Sequence, residues 1–331
     1  MLNPAQVLFF FTLILGTLIT FSSSSWFTAW LGLELNLLSF IPIISSKSNQ
    51  YSAEASLKYF LIQALGSAII LSRAPSFLLF ERRPNLLICL ALLLKTGAAP
   101  VHFWFPSVME GINWPQCIIL ITIQKIAPIL MLSYTHSPQT LSLIFFASIA
   151  SSLIGRIRGL NQTLIRKIIA YSSINHIAWI LAAIHINEII WITYFLVYSL
   201  ISSSIALIIH SQQIFHFNQL SSHNFKTPGI KIITLISFLS LGGLPPFLGF
   251  IPKWLVIQEL SNNKAFIWLS ILLIRALITL FYYLRVTLST LTLSSPKIKN
   301  TLPSSSKTLL RSILFINFFP IFLPLRLTFF T

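Results

Sequence analysis

The chain is divided into about eleven long apolar runs, each near the ~20 residues with which a helix crosses a bilayer. Apolar and polar residues do not alternate within the runs, as they would in the strands of a membrane barrel. These runs predict an all-α polytopic membrane protein, with spans at roughly 3–21, 26–44, 53–71, 86–106, 113–134, 139–155, 162–183, 188–211, 229–260, 264–291 and 309–330.

Composition excludes several other classes of protein. Only 8% of the residues are charged, whereas soluble domains carry about 25%. The net charge of +16 is scattered between apolar runs, which does not predict nucleic-acid binding. Cys89 and Cys117 lie inside runs without a CxxC spacing, so we expect small core residues. We find no motif for a metal, a nucleotide or a catalytic nucleophile, and no ligand set for a redox cofactor.

The fourth run contains LLLKTGAAPVHFWFP, residues 92–106, which places Lys95 in apolar surroundings. A lysine at the centre of a span costs about 2.5–3.5 kcal/mol on insertion scales. Gly97 and Pro100 weaken the helix directly after it. An ionisable group beside a helix break is typical of transporters. The structural alternative is a proline-kinked helix whose lysine extends to the membrane surface.

Two further lysines share this pattern, and one glutamate has no route to the surface within one turn. Lys125 lies in TIQKIAP, and Lys253 lies in GGLPPFLGFIPKW. Glu34 is flanked by Leu and Gly within the second run. A Glu–Lys pair at about 4 Å gains roughly 4 kcal/mol at an effective dielectric near 20, enough to load or unload a proton. We interpret Glu34, Lys95, Lys125 and Lys253 as a proton relay. The alternative is a static ion pair that fixes helix register.

The two interrupted runs suggest an internal repeat. We predict a first half at 1–135, broken near 95–102, and a second half at 136–292, broken near 242–253. Five spans in each half would place the second half inverted in the membrane. A linker at 293–308 and a C-terminal helix at 309–331 complete the prediction.

Polar residues in the seventh span form a second candidate group. Tyr171, Ser173 and His176 could line a hydrated path, as could His102 beside the first break. Hydrogen bonding between helices, worth ~0.6 kcal/mol each, explains them equally well.

The charges of the loops predict the orientation. The predicted loops on the same side of the membrane as the N-terminus contain more basic residues than the loops on the other side. This distribution places the N-terminus on the electrically negative side and, with an odd number of spans, the C-terminus on the other. No basic residue precedes Lys47, so a signal or transit peptide is not expected.

Several motifs resemble those of the NADH dehydrogenase subunit 2 family, the antiporter-like membrane subunits of mitochondrial complex I. The resemblance runs from about residue 10 to residue 290 and weakens after Leu291. Its motifs are WLGLELNLL, EASLKYF, LLLKTGAAPVHFWFPSVMEG, QKIAP, GLNQT, SSINH and LSLGGLPPFLGFIPKW.

The resemblance implies a proton-pumping subunit of NADH:ubiquinone reductase that performs no redox chemistry itself. Glu34 would pair with Lys95, followed by Lys125 and Lys253. NADH, FMN, iron–sulfur clusters and ubiquinone are expected elsewhere in the complex. Other membrane-arm subunits, accessory subunits and lipids are the expected partners. The expected location is the mitochondrial inner membrane, with the N-terminus in the matrix and the C-terminus in the intermembrane space.

Four arginines fit the family poorly. Arg73, Arg156, Arg158 and Arg275 lie at or within apolar segments, and methionine occurs only three times. Invertebrate mitochondria read AGA and AGG as serine and AUA as methionine. We therefore hypothesise that these positions are serines in the cellular protein.

Three functions follow from these observations. The first is proton translocation through Glu34, Lys95, Lys125 and Lys253, driven by remote electron transfer. The second is a stand-alone cation/proton antiporter, which shares the broken helices. The third is a structural membrane scaffold in which the charges only fix packing.

Overall fold

The computed structural model describes residues 4–45, 49–73, 85–135, 137–222 and 228–292, together with Asn317. Over these residues the secondary structure is helical, apart from an isolated bridge between Leu164 and His216. The helices are α1 (Pro4–Ser22), α2 (Trp26–Ile44), α3 (Gln50–Arg73), α4 (Asn85–Thr96), α5 (Trp104–Gly111), α6 (Trp114–Ile121), α7 (Ile123–Ser133), α8 (Pro138–Leu160), α9 (Ile165–Ile186), α10 (Glu188–Gln212), α11 (Phe217–Ser222), α12 (Pro228–Gly242), α13 (Phe250–Asn262) and α14 (Phe266–Thr292).

The prediction of an all-helical polytopic membrane protein is confirmed. Eight helical stretches in the described residues are long and apolar enough to cross a membrane, with α6 and α7 forming one of them. The fourth and ninth predicted spans are each divided into two shorter helices, α4 with α5 and α12 with α13. The total of eleven spans and the inverted repeat stay predictions.

Some predicted features lie outside the described residues. They are the linker at 293–308, the eleventh span apart from Asn317, and the loop charges Lys47, Glu81, Arg82, Arg83, Lys226, Lys297, Lys299 and Lys307.

The chain divides into two compact units. The first comprises Met1–Gly155 with Ser173–His185, and the second comprises Arg156–Ser172 with Ile186–Thr331. Helices α8 and α9 therefore contribute residues to both units. The first unit holds the α4–α5 interruption and the second holds the α12–α13 interruption. The predicted halves at 1–135 and 136–292 stay a prediction.

Helices α1 and α2 pack closely through two glycines. A Cβ atom on Gly16 would lie 2.9 Å from the carbonyl oxygen of Gly32, and one on Gly32 would lie 2.6 Å from the side chain of Thr20. Small residues allow such an approach between helices in a membrane. The packing fixes α2, which carries Glu34 and Asn36 in its middle turns.

Candidate functional site

The first interruption begins at Gly97, two residues after Lys95. Gly97 has φ +74°, a left-handed conformation that favours glycine. Its N–H donates to Leu94 O at 3.2 Å, and the N–H of Ala98 donates to Leu93 O at 3.1 Å. These two bonds form a Schellman motif. Helix α4 therefore ends before Pro100 is reached, and α5 resumes at Trp104.

Two side chains satisfy carbonyl groups at the end of α4. The indole N–H of Trp104 donates to Leu94 O at 3.0 Å. The amide Nε2 of Gln63, on α3, donates to Lys95 O at 3.2 Å. The last carbonyls of a helix have no partner within it, so a buried helix end depends on such donors.

Lys95 and Lys125 line the same buried cavity. Lys95 is 5% exposed and Lys125 is 2% exposed. The cavity has room for about one water molecule. Its other walls come from Tyr59, Gln63, Thr96, Trp104, Phe105, Leu120 and Gln124. Two predicted relay lysines thus share one small, partly polar space inside the first unit.

Hydrogen bonds between uncharged side chains connect the helices at the wall of this cavity. The hydroxyl of Tyr59 donates to Gln124 Oε1 at 2.9 Å. The amide Nε2 of Gln124 donates to Asn36 Oδ1 at 3.0 Å. These bonds tie α3 and α7 to α2, and all three side chains are buried. Our sequence reasoning missed Tyr59, Gln63 and Asn36, although a buried amide or phenol inside an apolar span was a usable signal.

Glu34 lies farther from Lys95 than we expected. Its charge acts on Lys95, but the two side chains form no ion pair within 4.0 Å in the described residues. Glu34 is half-buried, whereas the sequence suggested full burial. Its Oε2 atom is buried and has no hydrogen-bond partner among the residues that the structure describes. Leu35 and Leu38 beside it are exposed, so Glu34 lies towards the outer side of α2.

The second interruption repeats the backbone pattern of the first. Gly243 has φ +76°. Its N–H donates to Ser240 O at 3.0 Å, and the N–H of Leu244 donates to Leu239 O at 3.4 Å. Both breaks are therefore Schellman motifs closed by a left-handed glycine. Each is followed three residues later by a proline in a cis peptide bond, Pro100 and Pro246.

Lys253 approaches the second break from the opposite direction. It lies after the break, and its ammonium nitrogen reaches back to Gly242 O at 2.6 Å and Leu241 O at 3.4 Å. It is 6% exposed. The C-terminus of a helix carries partial negative charge, so these carbonyls stabilise an ammonium group.

The same carbonyl position has a different donor at the two breaks. Two residues before the left-handed glycine, Lys95 O accepts from the neutral amide of Gln63, whereas Leu241 O accepts from Lys253. The Lys95 residue lines the cavity, whereas the Lys253 ammonium is held on the helix end.

Asn317, which is distant in sequence, forms hydrogen bonds at the second break. The hydroxyl of Ser240 donates to Asn317 Oδ1 at 2.9 Å, and the N–H of Leu248 donates to Asn317 O at 3.3 Å. Asn317 is fully buried. Our sequence reasoning placed this residue only within a C-terminal span. Its one local signal was an amide between apolar residues.

The residues suggested for a hydrated path are all buried. His102 contacts Pro100 O through Nδ1 at 3.1 Å, and its ring lies 4.4 Å from that of Phe103. Ser173 and His176 belong to the first unit, and Tyr171 belongs to the second. The path stays a prediction. The described residues contain no group of His, Cys, Asp and Glu that could hold a metal ion.

The four doubtful arginines differ in their surroundings. Arg156 is fully buried in α8, with its guanidinium nitrogens 3.4 and 3.5 Å from Leu272 O. The charge of Arg275 acts on it, and its own charge acts on Lys253. Arg275 is half-buried, and Arg73 and Arg158 are exposed.

Comparison with known proteins places the chain among respiratory membrane proteins. The family model for the transmembrane part of NADH:quinone oxidoreductases and Mrp antiporters matches residues 23–81 and 83–279. NADH-ubiquinone oxidoreductase chain 2 of Anopheles gambiae is 49% identical over 300 residues, covering 88% of this chain and 87% of the relative. Its counterpart from Aedes aegypti is 46% identical over 323 residues, 94% of each chain.

A solved structure shares the fold. A chain of respiratory complex I from Thermus thermophilus, with bound aureothin, superposes with a TM-score of 0.84. The match covers 97% of this chain and 77% of that chain, at 24% identity.

Proposed function

The chain belongs to the NADH:quinone oxidoreductase/Mrp antiporter family, and from this premise we propose that it moves protons across the membrane through buried lysines. It is an antiporter-like membrane subunit of complex I. The proton path uses Lys95 and Lys125 in the first unit and Lys253 in the second, with Glu34 acting on Lys95. Electron transfer at NADH, FMN, iron–sulfur and ubiquinone sites on other subunits supplies the energy.

The shared cavity of Lys95 and Lys125 is the observation that supports this proposal. Two cations in one buried space repel each other, and nothing in simple helix packing requires both. Release of one proton from the pair to the cavity relieves that repulsion, and the neutral amine that remains can accept a proton from the other lysine. The cavity has room for about one water, which can carry a proton between the two lysines without opening the site to the bilayer.

The same proposal assigns a location and partners. The chain resides in the mitochondrial inner membrane, with its N-terminus in the matrix and its C-terminus in the intermembrane space. It contacts other membrane-arm subunits, accessory subunits and lipids. The half-buried Glu34, on the outer side of α2, is open to a neighbouring subunit.

Proton pumping by the assembled complex in liposomes tests the proposal. Lys95→Met and Lys125→Met should each strongly reduce the number of protons moved per NADH oxidised. Lys58→Met is the matched control, since Lys58 is exposed and paired with Glu54 at 2.6 Å on α3. Normal pumping by both buried variants in an assembled complex would favour the structural scaffold. Exchange of Na⁺ for H⁺ by the purified single chain would favour the stand-alone antiporter.

A further inference from the structure

Phe105 lies between the first helix break and Lys125. Its Cβ and ring atoms lie 3.2–3.4 Å from the position that a Cβ on Gly97 would take, so its side chain packs on the glycine that ends α4. The ring of Trp104 lies edge-on to it, 5.5 Å between centroids. Phe105 is 1% exposed. The position of the ring is therefore set by the backbone of the break.

The face of the same ring contacts the charge of Lys125. The ammonium nitrogen lies 4.4 Å from the ring centroid. A ring face attracts the positive ammonium group by its quadrupole, most strongly away from water. It does not attract the neutral amine in the same way. The ring consequently favours the state in which Lys125 holds its proton.

Phe105 also faces the cavity that Lys95 and Lys125 share. A displacement of the break would move the ring relative to the Lys125 ammonium, because the Phe105 side chain fills the space where a Cβ on Gly97 would lie. The proton on Nζ of Lys125 would then leave for the cavity, where a neutral Lys95 amine or a water accepts it. Only an N–H bond breaks and another N–H or O–H bond forms.

We propose that Phe105 is a positioning residue that couples the first helix break to the proton on Lys125. This inference rests on the proposed function, since it assigns a control element to one of its lysines. According to this inference, the helix break after Lys95 controls how tightly Lys125 holds its proton, through the side chain of Phe105.

The test uses the assembled complex in liposomes and the pH dependence of proton pumping. Phe105→Leu removes the ring face and should shift the midpoint of pumping by about 0.4 to 1.5 pH units towards lower pH, because the ammonium is stabilised less. Phe105→Tyr keeps a ring face and should retain the wild-type profile. Phe146→Leu is the control, since Phe146 is 62% exposed on α8 of the first unit.

The outcomes separate this inference from the proposed function. An unshifted profile for Phe105→Leu, together with loss of pumping in Lys125→Met, overturns the role of Phe105 and leaves the relay. Normal pumping in Lys125→Met overturns the relay itself. If the leucine variant does not assemble, Phe105→Met replaces it. A shifted profile in an assembled Phe105→Tyr complex also counts against the ring-face contact.

Discussion

The ammonium nitrogen of Lys253 lies 2.6 Å from the carbonyl oxygen of Gly242, the last residue of α12. A lysine that follows the break thus caps the helix that precedes it. This contact depends on the next residue, Gly243, because a Cβ there would lie 2.7 Å from both Nζ and Cδ of Lys253. The backbone at residues 242–243 therefore both ends α12 and holds the Lys253 ammonium.

Gly243→Ala should therefore impair pumping. The left-handed backbone costs a non-glycine residue roughly 1–2 kcal/mol, and the added methyl group displaces Lys253 from the carbonyls. We expect a reduced ratio of protons moved to NADH oxidised in the assembled complex. Gly229→Ala is the control, since no atom of the described residues lies within 4 Å of its Cβ position at the start of α12. Equal pumping by the two variants would show that Lys253 does not need this contact.

Trp104→Phe tests how the first break is closed. The substitution removes the N–H that donates to Leu94 O and leaves that end of α4 less well satisfied, at a cost of about 1–3 kcal/mol. We expect the assembled complex to lose resistance to thermal inactivation. Trp179→Phe is the matched control, since Trp179 is 1% exposed and its indole nitrogen has no hydrogen-bond partner in the described part of the chain. If both variants lost the same amount of thermal resistance, the hydrogen bond from Trp104 would not be what stabilises the end of α4.

The sequence predicts the long helices well because each is an apolar run with polar ends. The second span is expected at 26–44 and is observed as Trp26–Ile44. It also locates both interruptions, since Gly97 and Gly243 stand in otherwise helical runs. It does not reveal which distant side chains meet at a break. The contacts of Gln63 and Asn317 depend on tertiary packing, which local periodicity does not encode.

The position of Glu34 illustrates the same limit. Its apolar neighbours in sequence predict depth in the membrane, and it does lie in the middle of α2. The face of α2 that it occupies is decided by how α1 packs through Gly16 and Gly32. That packing leaves Glu34 half-buried, without an ion pair to Lys95 in the described residues.

The contact between Ser240 and Asn317 spans 77 residues and should be measurable by a double-mutant cycle. Ser240→Ala and Asn317→Leu each remove the side-chain hydrogen bond. Because either substitution alone already removes the bond, we expect the double variant to lose no more pumping and thermal resistance than either single variant. Ser270→Ala and Asn263→Leu are the controls, as both residues are exposed in the same unit. Additive effects would mean that the two residues act independently.

Residue 156, fully buried in α8, is where the serine hypothesis can be tested most directly. As arginine it buries a full charge, on which the charge of Arg275 acts by repulsion and which itself acts on Lys253. A serine would fit α8 without this cost. Three buried serines of the same helix donate to carbonyls three residues back: Ser148 to Phe145, Ser151 to Ser148 and Ser152 to Ile149.

We therefore expect the cellular protein to carry serine at position 156. Mass spectrometry of tryptic peptides decides between the two residues, because trypsin cleaves after arginine and not after serine. A peptide that runs through position 156 with the residue mass of serine supports the hypothesis. Cleavage after position 156, or the residue mass of arginine there, refutes it. In that case the buried cation belongs to the second unit, and its charge acts on Lys253.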